Sequence, residues 1–218
     1  MRKLPLILIL MIFIVLLKGG AYPVAKNIDL PSPSYKSKIS LEEAILKRRS
    51  VRSFMDRELT LAQVSQILWA AQGITDRSSG HRSAPSAGAT YPIDLFVVMK
   101  SGIYRYLPAN HQLEIVSEND KRKDLANAAL GQSSIKEAPL NIVICAEYGR
   151  TSKRYGDRAP RYVHIEAGHI AQNIHLQAAA IGLGSVPVGA FRDQSVSSVL
   201  SLPDQLEPIY IIPVGYPK

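Results

Sequence analysis

The apolar pattern of this chain is strongest between Tyr162 and Phe191. From Ala167 to Ile181, the side chains of Ala167, Ile170, Ala171, Ile174, Leu176, Ala178, Ala179, Ala180 and Ile181 fall on nearly every face of a helix. That pattern predicts a long helix buried through the middle of a domain. Gly182 and Gly184 stop it, because glycine takes the left-handed conformation that closes a helix. The short run Ser185-Val186-Pro187-Val188-Gly189 follows. A core helix, a glycine turn and a short strand form a scaffold that can bring bare backbone close to a flat ligand.

The remaining elements follow from local signals. Ser40-Leu41-Glu42-Glu43 and Thr60-Leu61-Ala62-Gln63 are capping boxes. The first opens a helix with Leu41, Ala44 and Ile45 on one side. The second opens a helix carrying Val64, Ile67, Leu68 and Ala71, ended by Gly73. Thr75 to Gly88 reads as a polar loop and Ile93 to Lys100 as a strand. Ile103 to Leu107 and Gln112 to Val116 form a hairpin about Pro108-Ala109-Asn110. A helix over Asp120 to Leu130, a strand over Leu140 to Glu147 and a charged loop over Arg150 to Ala159 precede the long helix. A short helix over Gln194 to Leu200 and a strand over Pro208 to Val214 close the chain. Helices and strands do not alternate strictly. The expected class is therefore α+β, with a mixed or antiparallel central sheet flanked by helices around the long one.

The N-terminus stands apart. Met1-Arg2-Lys3, the uncharged run Leu4 to Leu17 and the small residues Gly19 and Ala21 make residues 1–21 a signal peptide, or a signal anchor if uncleaved. The run is shorter than the roughly 20 residues a spanning helix needs. The folded part is expected outside the cytoplasm, free or tethered to a membrane. Tyr22 to Lys38, with Pro23, Pro31 and Pro33, reads as an extended linker to a single domain over residues 39–218.

Composition narrows the chemistry. Hydrophobic residues make up 46% of the chain and charged ones 20%, values that exclude wholesale disorder. The formal charge is +8, of which Arg2, Lys3 and Lys18 supply three; the remaining excess suits anionic ligands but is too dispersed for nucleic acid. Cys145, the single cysteine, lies in an apolar run and reads as a buried strand residue. His164, Glu166, His169 and His175 lack the spacing of a metal site, and no hydrolase elbow, P-loop or dinucleotide fingerprint is present. Lys47-Arg48-Arg49-Ser50-Val51-Arg52 offers guanidinium forks and a hydroxyl to a phosphate; equally, cations complement a helix C-terminus. Pro85-Ser86-Ala87-Gly88-Ala89-Thr90-Tyr91-Pro92 either presents backbone N–H groups to a ligand or is simply a turn.

In this order, five segments resemble the nitroreductase-like flavoprotein family, in its SagB-type dehydrogenase branch. They are Arg48-Arg49-Ser50-Val51-Arg52, Ser86 to Pro92, Glu166 to Asn173, Gly182 to Gly189, and Val214-Gly215-Tyr216-Pro217. The resemblance spans Ile39 to Lys218 and implies an FMN-binding homodimer with the flavin at the subunit interface. It implies that Arg48, Arg49, Ser50 and Arg52 hold the phosphate and ribityl chain. Ser86, Ala87 and Gly88 would line the flavin from one subunit, with Gln132 near the ring or ribityl groups. Pro187, Val188 and Gly189 would run along the ring edge and supply an N–H near the reactive nitrogen. No catalytic side chain and no metal are expected, since the cofactor carries the chemistry. The SagB-type enzymes that oxidise azolines place a Lys-Tyr pair before the long helix; here Lys153-Arg154-Tyr155 stands there, and arginine is a poor base. The resulting expectation is an exported FMN-dependent oxidoreductase exchanging electrons between a small-molecule donor and acceptor. The alternative is a non-catalytic flavin- or ligand-binding module on the same fold.

Overall fold

The structure, a computed structural model, describes residues 27–218; residues 1–21, read from the sequence as a signal peptide or anchor, and the first residues of the expected linker lie outside the described residues. Nine strands are present among them: β1 (Asn27–Asp29), β2 (Ile74–Asp76), β3 (His81–Arg82), β4 (Ile93–Met99), β5 (Gly102–Leu107), β6 (Gln112–Ser117), β7 (Leu140–Ala146), β8 (Gly184–Ser185) and β9 (Glu207–Gly215). Seven build one sheet in the order β1-β6-β5-β4-β7-β9-β8, and β2 pairs β3 in a small hairpin. Every ladder of the sheet is antiparallel.

The sheet is covered on both faces, and β7 shows how. All seven of its residues are buried. Successive side chains of a strand point to opposite faces. Leu140, Ile142, Ile144 and Ala146 accordingly enter one apolar cluster, with α2 (Leu61–Gln72) and α6 (Ala159–Ala180). Val143 and Cys145 enter the other, with α3 (Arg122–Ala128), α4 (Ser133–Glu137) and α7 (Asp193–Leu200). Cys145 is thus the buried strand residue read from the sequence, and burial raises its thiol well above the ordinary range. The α+β class with a long central helix stands.

Both capping boxes form. Ser40 opens α1 (Leu41–Lys47) and Thr60 opens α2, each with reciprocal hydrogen bonds to the third helical residue. Four expectations change. First, the apolar side of α1 does not enter the core: Ala44 is buried, but Leu41 is 60% exposed and Ile45 56%. Second, α6 is buried on one face only. Val163, Glu166, Ala167, Ile170, Ala171, Ile174, His175 and Ala178 are buried, whereas Ile165 is 49% exposed.

Third, the linker is extended but bound. β1 adds to the free edge of β6, and Leu30 is buried beyond it. His111, at the β5–β6 turn, bridges Tyr106, Ser65 and the carbonyl of Pro31, which fastens this segment to the domain. Fourth, the charged stretch from Arg150 is not a loop. It is α5 (Tyr148–Tyr155) followed by a 3-10 turn over Gly156–Arg158. No apolar stripe announces α5, because ion pairs anchor it. Arg150 donates to both carboxylate oxygens of Asp94 on β4, at 2.9 and 3.0 Å, and pairs with Glu147 at 2.7 Å.

Candidate functional site

The sequence-derived site residues fall into two groups in one copy of the chain. The first gathers at the end of the sheet that β8 closes. The segment leaving α1 runs beside β8, with Ser50 bridged to Ser185 and the Val51 N–H donating to the Ser185 carbonyl at 3.0 Å. Gly184 permits this approach. A Cβ there would sit 2.6 Å from the Val51 Cβ. Arg48, Arg49, Val51, His175, Gly184 and Ser185 line a cavity of about 220 Å³ at this place.

Within this group the roles divide. Arg49 donates to the carbonyls of Leu46 and Arg48, both at 2.8 Å, and so satisfies the end of α1. Among the described residues, Arg48, Ser50 and Arg52 make no such side-chain bonds. Val188 exchanges both backbone hydrogen bonds with Ile211, and Pro187 has no N–H. Of the three residues expected along a ring edge, only Gly189 therefore keeps a backbone N–H without an acceptor among the described residues. Gln132 lies beside them: its Nε2 donates to the Ala190 carbonyl at 2.9 Å, and among the described residues its side-chain oxygen has no donor.

His175, which the sequence reading treated only as a rejected metal ligand, belongs here. Its Nδ1 lies 2.7 Å from the Ser185 Oγ, while its buried Nε2 has no partner. Burial, then the charge of Arg48, push its pKa down to about 4. Folded His175 stays neutral while the unfolded chain protonates near 6.5. The associated stability is full above pH 6.5 and is lost as pH falls toward 4, by up to about 3 kcal/mol. Denaturation of wild type and His175→Gln at pH 7 and pH 4.5 should show a smaller loss in the variant; an equal loss sinks the assignment. Glu166 works the other way, because burial raises its carboxyl and its ionisation opposes folding as pH rises.

The second group surrounds Ser86–Gly88. Gly88 sits in a left-handed conformation (φ 60°), and Ala89 (φ 53°) and Tyr91 (φ 45°) adopt positive φ without being glycine. Strain of this kind persists only where surrounding structure imposes it. Here α5 imposes it. Thr151 bonds Thr90 at 2.8 Å, Arg150 donates to the Tyr91 carbonyl at 3.1 Å, and Arg154 donates to the Gly88 carbonyl at 3.3 Å. From the other side, α6 holds Pro85 through His169 and Ser83 through Asn173. The Ser86 hydroxyl is turned inward, accepting from the Tyr91 N–H at 2.9 Å. Behind it lies a buried polar chain in which Arg82 donates to Gln72 and Gln72 to Glu166.

The two groups do not meet. Among the described residues no hydrogen bond links 86–88 to 48–52 or 187–189. The contacts of α6 with the loop centre near His169, and those with the arginine segment near Ala179, roughly 15 Å further along the helix axis.

The family model for the nitroreductase family matches residues 45–216. The chain belongs to the nitroreductase family. Among the relatives of this nitroreductase-family chain, a protein of Methanocaldococcus jannaschii from the same family is 43% identical over 183 residues, covering 81% of this chain and 91% of the relative. A nitroreductase crystal structure from Ralstonia eutropha superposes with a TM-score of 0.80 at 32% identity, covering 88% of this chain and 90% of that one. The FMN reductase (NADPH) of Bacillus subtilis is 25% identical over 189 residues, covering 80% of this chain and 65% of the relative. The nitroreductase-family fold and these relatives make the chain a flavin-dependent oxidoreductase in general class.

The residues present fit such a cofactor. The Arg48 guanidinium, which has no side-chain hydrogen bond among the described residues, borders the cavity with the Ser185 hydroxyl, Gly184 keeps backbone beside it, and the Gly189 N–H has no acceptor among the described residues. Among the described residues there is no helix long and apolar enough to cross a membrane.

Proposed function

We propose that the protein is an FMN-dependent oxidoreductase whose flavin is held by two copies of the chain. We place it in the SagB-type branch on its motif series. The supporting observation is the split of the site: the arginine end and the Ser86–Gly88 loop lie apart in one copy, each bordered by exposed surface. A second copy would complete the site. The apolar side of α1, with Leu46 71% exposed, and the outer face of α6 supply surface for that pairing.

Bound flavin would accept two electrons from a small donor and pass them to a small organic acceptor. Arg48, Ser50 and Arg52 would hold its phosphate through charge-assisted hydrogen bonds. The Gly189 N–H and the Gln132 amide would orient the ring, and N–H dipoles fixed before reaction stabilise negative charge without reorganising. Ser86–Gly88 would cover the opposite side, where the strained loop keeps bare backbone against the ring. Arg154 stands beside that loop where the azoline-oxidising enzymes would carry a lysine, and a guanidinium is a poor base, which argues against azoline oxidation. The basic and apolar N-terminus makes export, or tethering at a membrane surface, part of this reading.

The test is the visible spectrum of the purified full-length protein. Twin flavin bands, bleached by dithionite and restored by air, are expected. Arg48→Ala combined with Ser50→Ala should lower flavin affinity at least about tenfold with circular dichroism unchanged, the loss of more than one charge-assisted bond. Full flavin in the double variant would overturn the phosphate assignment. A wild-type protein that binds FMN yet is never reoxidised would favour the non-catalytic module.

A further inference from the structure

A cavity of about 560 Å³ opens beside the Ser86–Gly88 loop, and its charged walls are not accounted for by the cofactor. Arg82 and Arg154 both line it, with His81 and Tyr91. Among the described residues neither guanidinium has a carboxylate within ion-pair distance, in contrast to Arg105, Arg122 and Arg150, which pair with Asp94, Asp120, and Asp94 with Glu147.

Both arginines are nevertheless held in place. Arg82 is fixed by one N–H to Gln72 Oε1 at 2.6 Å and by stacking 4.3 Å from the Tyr91 ring. Arg154 is fixed by one N–H to the Gly88 carbonyl and lies 5.6 Å from the Tyr155 ring. Each fork thus commits one of its five donors to the protein. The buried Glu166 lies behind Arg82, joined to it through Gln72, and burial raises its carboxyl above the ordinary value.

We propose that this cavity binds the carboxylate of a small planar electron acceptor, with Arg154 and Arg82 as the recognising groups. The idea rests on the flavin reading, since Gly88 would place the acceptor against the cofactor. Two preset guanidinium forks match a carboxylate bidentately. A cavity of this size suits a single substituted ring. The enzyme would then select acceptors by charge as well as by reducibility.

The experiment compares 4-nitrobenzoate with the uncharged 4-nitrobenzyl alcohol on full-length holoenzyme. Flavin is first reduced with dithionite under anaerobic conditions, so no natural donor is needed, and its reoxidation is followed. Benzoate is separately titrated into oxidised holoenzyme while the flavin spectrum is recorded. The nitrobenzoate should react faster, and benzoate should shift the flavin bands. In Arg154→Gln the benzoate dissociation constant should rise at least about tenfold, the loss of one charge-assisted bond. Arg154→Lys should recover part of it.

Equal reoxidation by both acceptors in the wild type would overturn the proposal. So would an Arg154→Gln variant that keeps its flavin and the full acceptor preference, or one that loses its flavin, because the arginine would then belong to the cofactor. A protein that binds no flavin sinks the cofactor reading instead. Calorimetry of benzoate on that colourless protein then decides: binding weakened by Arg154→Gln supports the carboxylate site, and absence of binding overturns it.

Discussion

Gly184→Ala is expected to lower FMN affinity at least about tenfold, although residue 184 carries no side chain to offer a ligand. The added Cβ would lie 2.6 Å from both the Cβ and a Cγ of Val51, and 2.9 Å from the other Cγ. A valine branch has few rotamers to retreat into. Relief must come from moving the Ser50–Arg52 backbone away from β8, which breaks the Val51 to Ser185 hydrogen bond. The same shift carries Arg48 and Arg52 out of register with Gly189. Overpacking of this kind costs about 1–3 kcal/mol, so the fold should survive with a lowered urea midpoint. Fluorescence titration with FMN measures the affinity. An unchanged dissociation constant alongside a lowered midpoint would remove the arginine segment from the cofactor site.

The largest stability effect should come from Asp94→Ala, about 3–5 kcal/mol. Asp94 is nearly buried and accepts from Arg150 and from Arg105 at 2.8 Å. Burial pushes its carboxyl up, but the hydrogen bonds from Arg150 and the charge of Arg105 outweigh it and hold the pKa below the ordinary value. Removing it leaves two arginines without their shared partner. It also frees the first turn of α5, and with it the Thr151 and Arg154 contacts that hold the strained loop. Urea denaturation measures the loss, and proteolysis between Tyr148 and Arg158 reports the release of α5. A loss below about 1 kcal/mol would mean the network acts as an ordinary surface pair.

This network explains why α5 was not legible in the sequence. Its residues Tyr148-Gly149-Arg150-Thr151-Ser152-Lys153-Arg154-Tyr155 show no apolar period, and the carboxylate that fixes the helix is contributed by β4. By contrast, α1, α2, β4 to β7 and β9 were readable because capping boxes, glycines and alternation are local signals, whereas the stretch read as a polar loop from Thr75 holds the small β2–β3 hairpin. The short β1 was hidden for the same reason as α5: its place depends on the β6 edge and on His111, far along the chain.

Of the candidate site, the fragments were legible and their grouping was not. Motif resemblance pointed to Arg48, Ser86 and Gly189 alike. Only the way α6 meets each segment separates them into two ends. His175 and Arg82 were missed as site residues because a lone histidine in an apolar helix and a lone arginine in a polar loop carry no sequence signature. Their significance comes from an unpartnered nitrogen and an uncommitted guanidinium fork, which are visible only in three dimensions.

The strand order has a mechanical reading as well. β1 and β8 are the two outer edges of a seven-stranded sheet, so six strand spacings, roughly 29 Å, separate them. Any support attached upstream of Asn27 grips the molecule at one edge, while the arginine cavity opens at the other. If the N-terminus is tethered as proposed, the tether would act as a stand-off, holding the protein at the β1 edge and leaving the β8 edge on the far side.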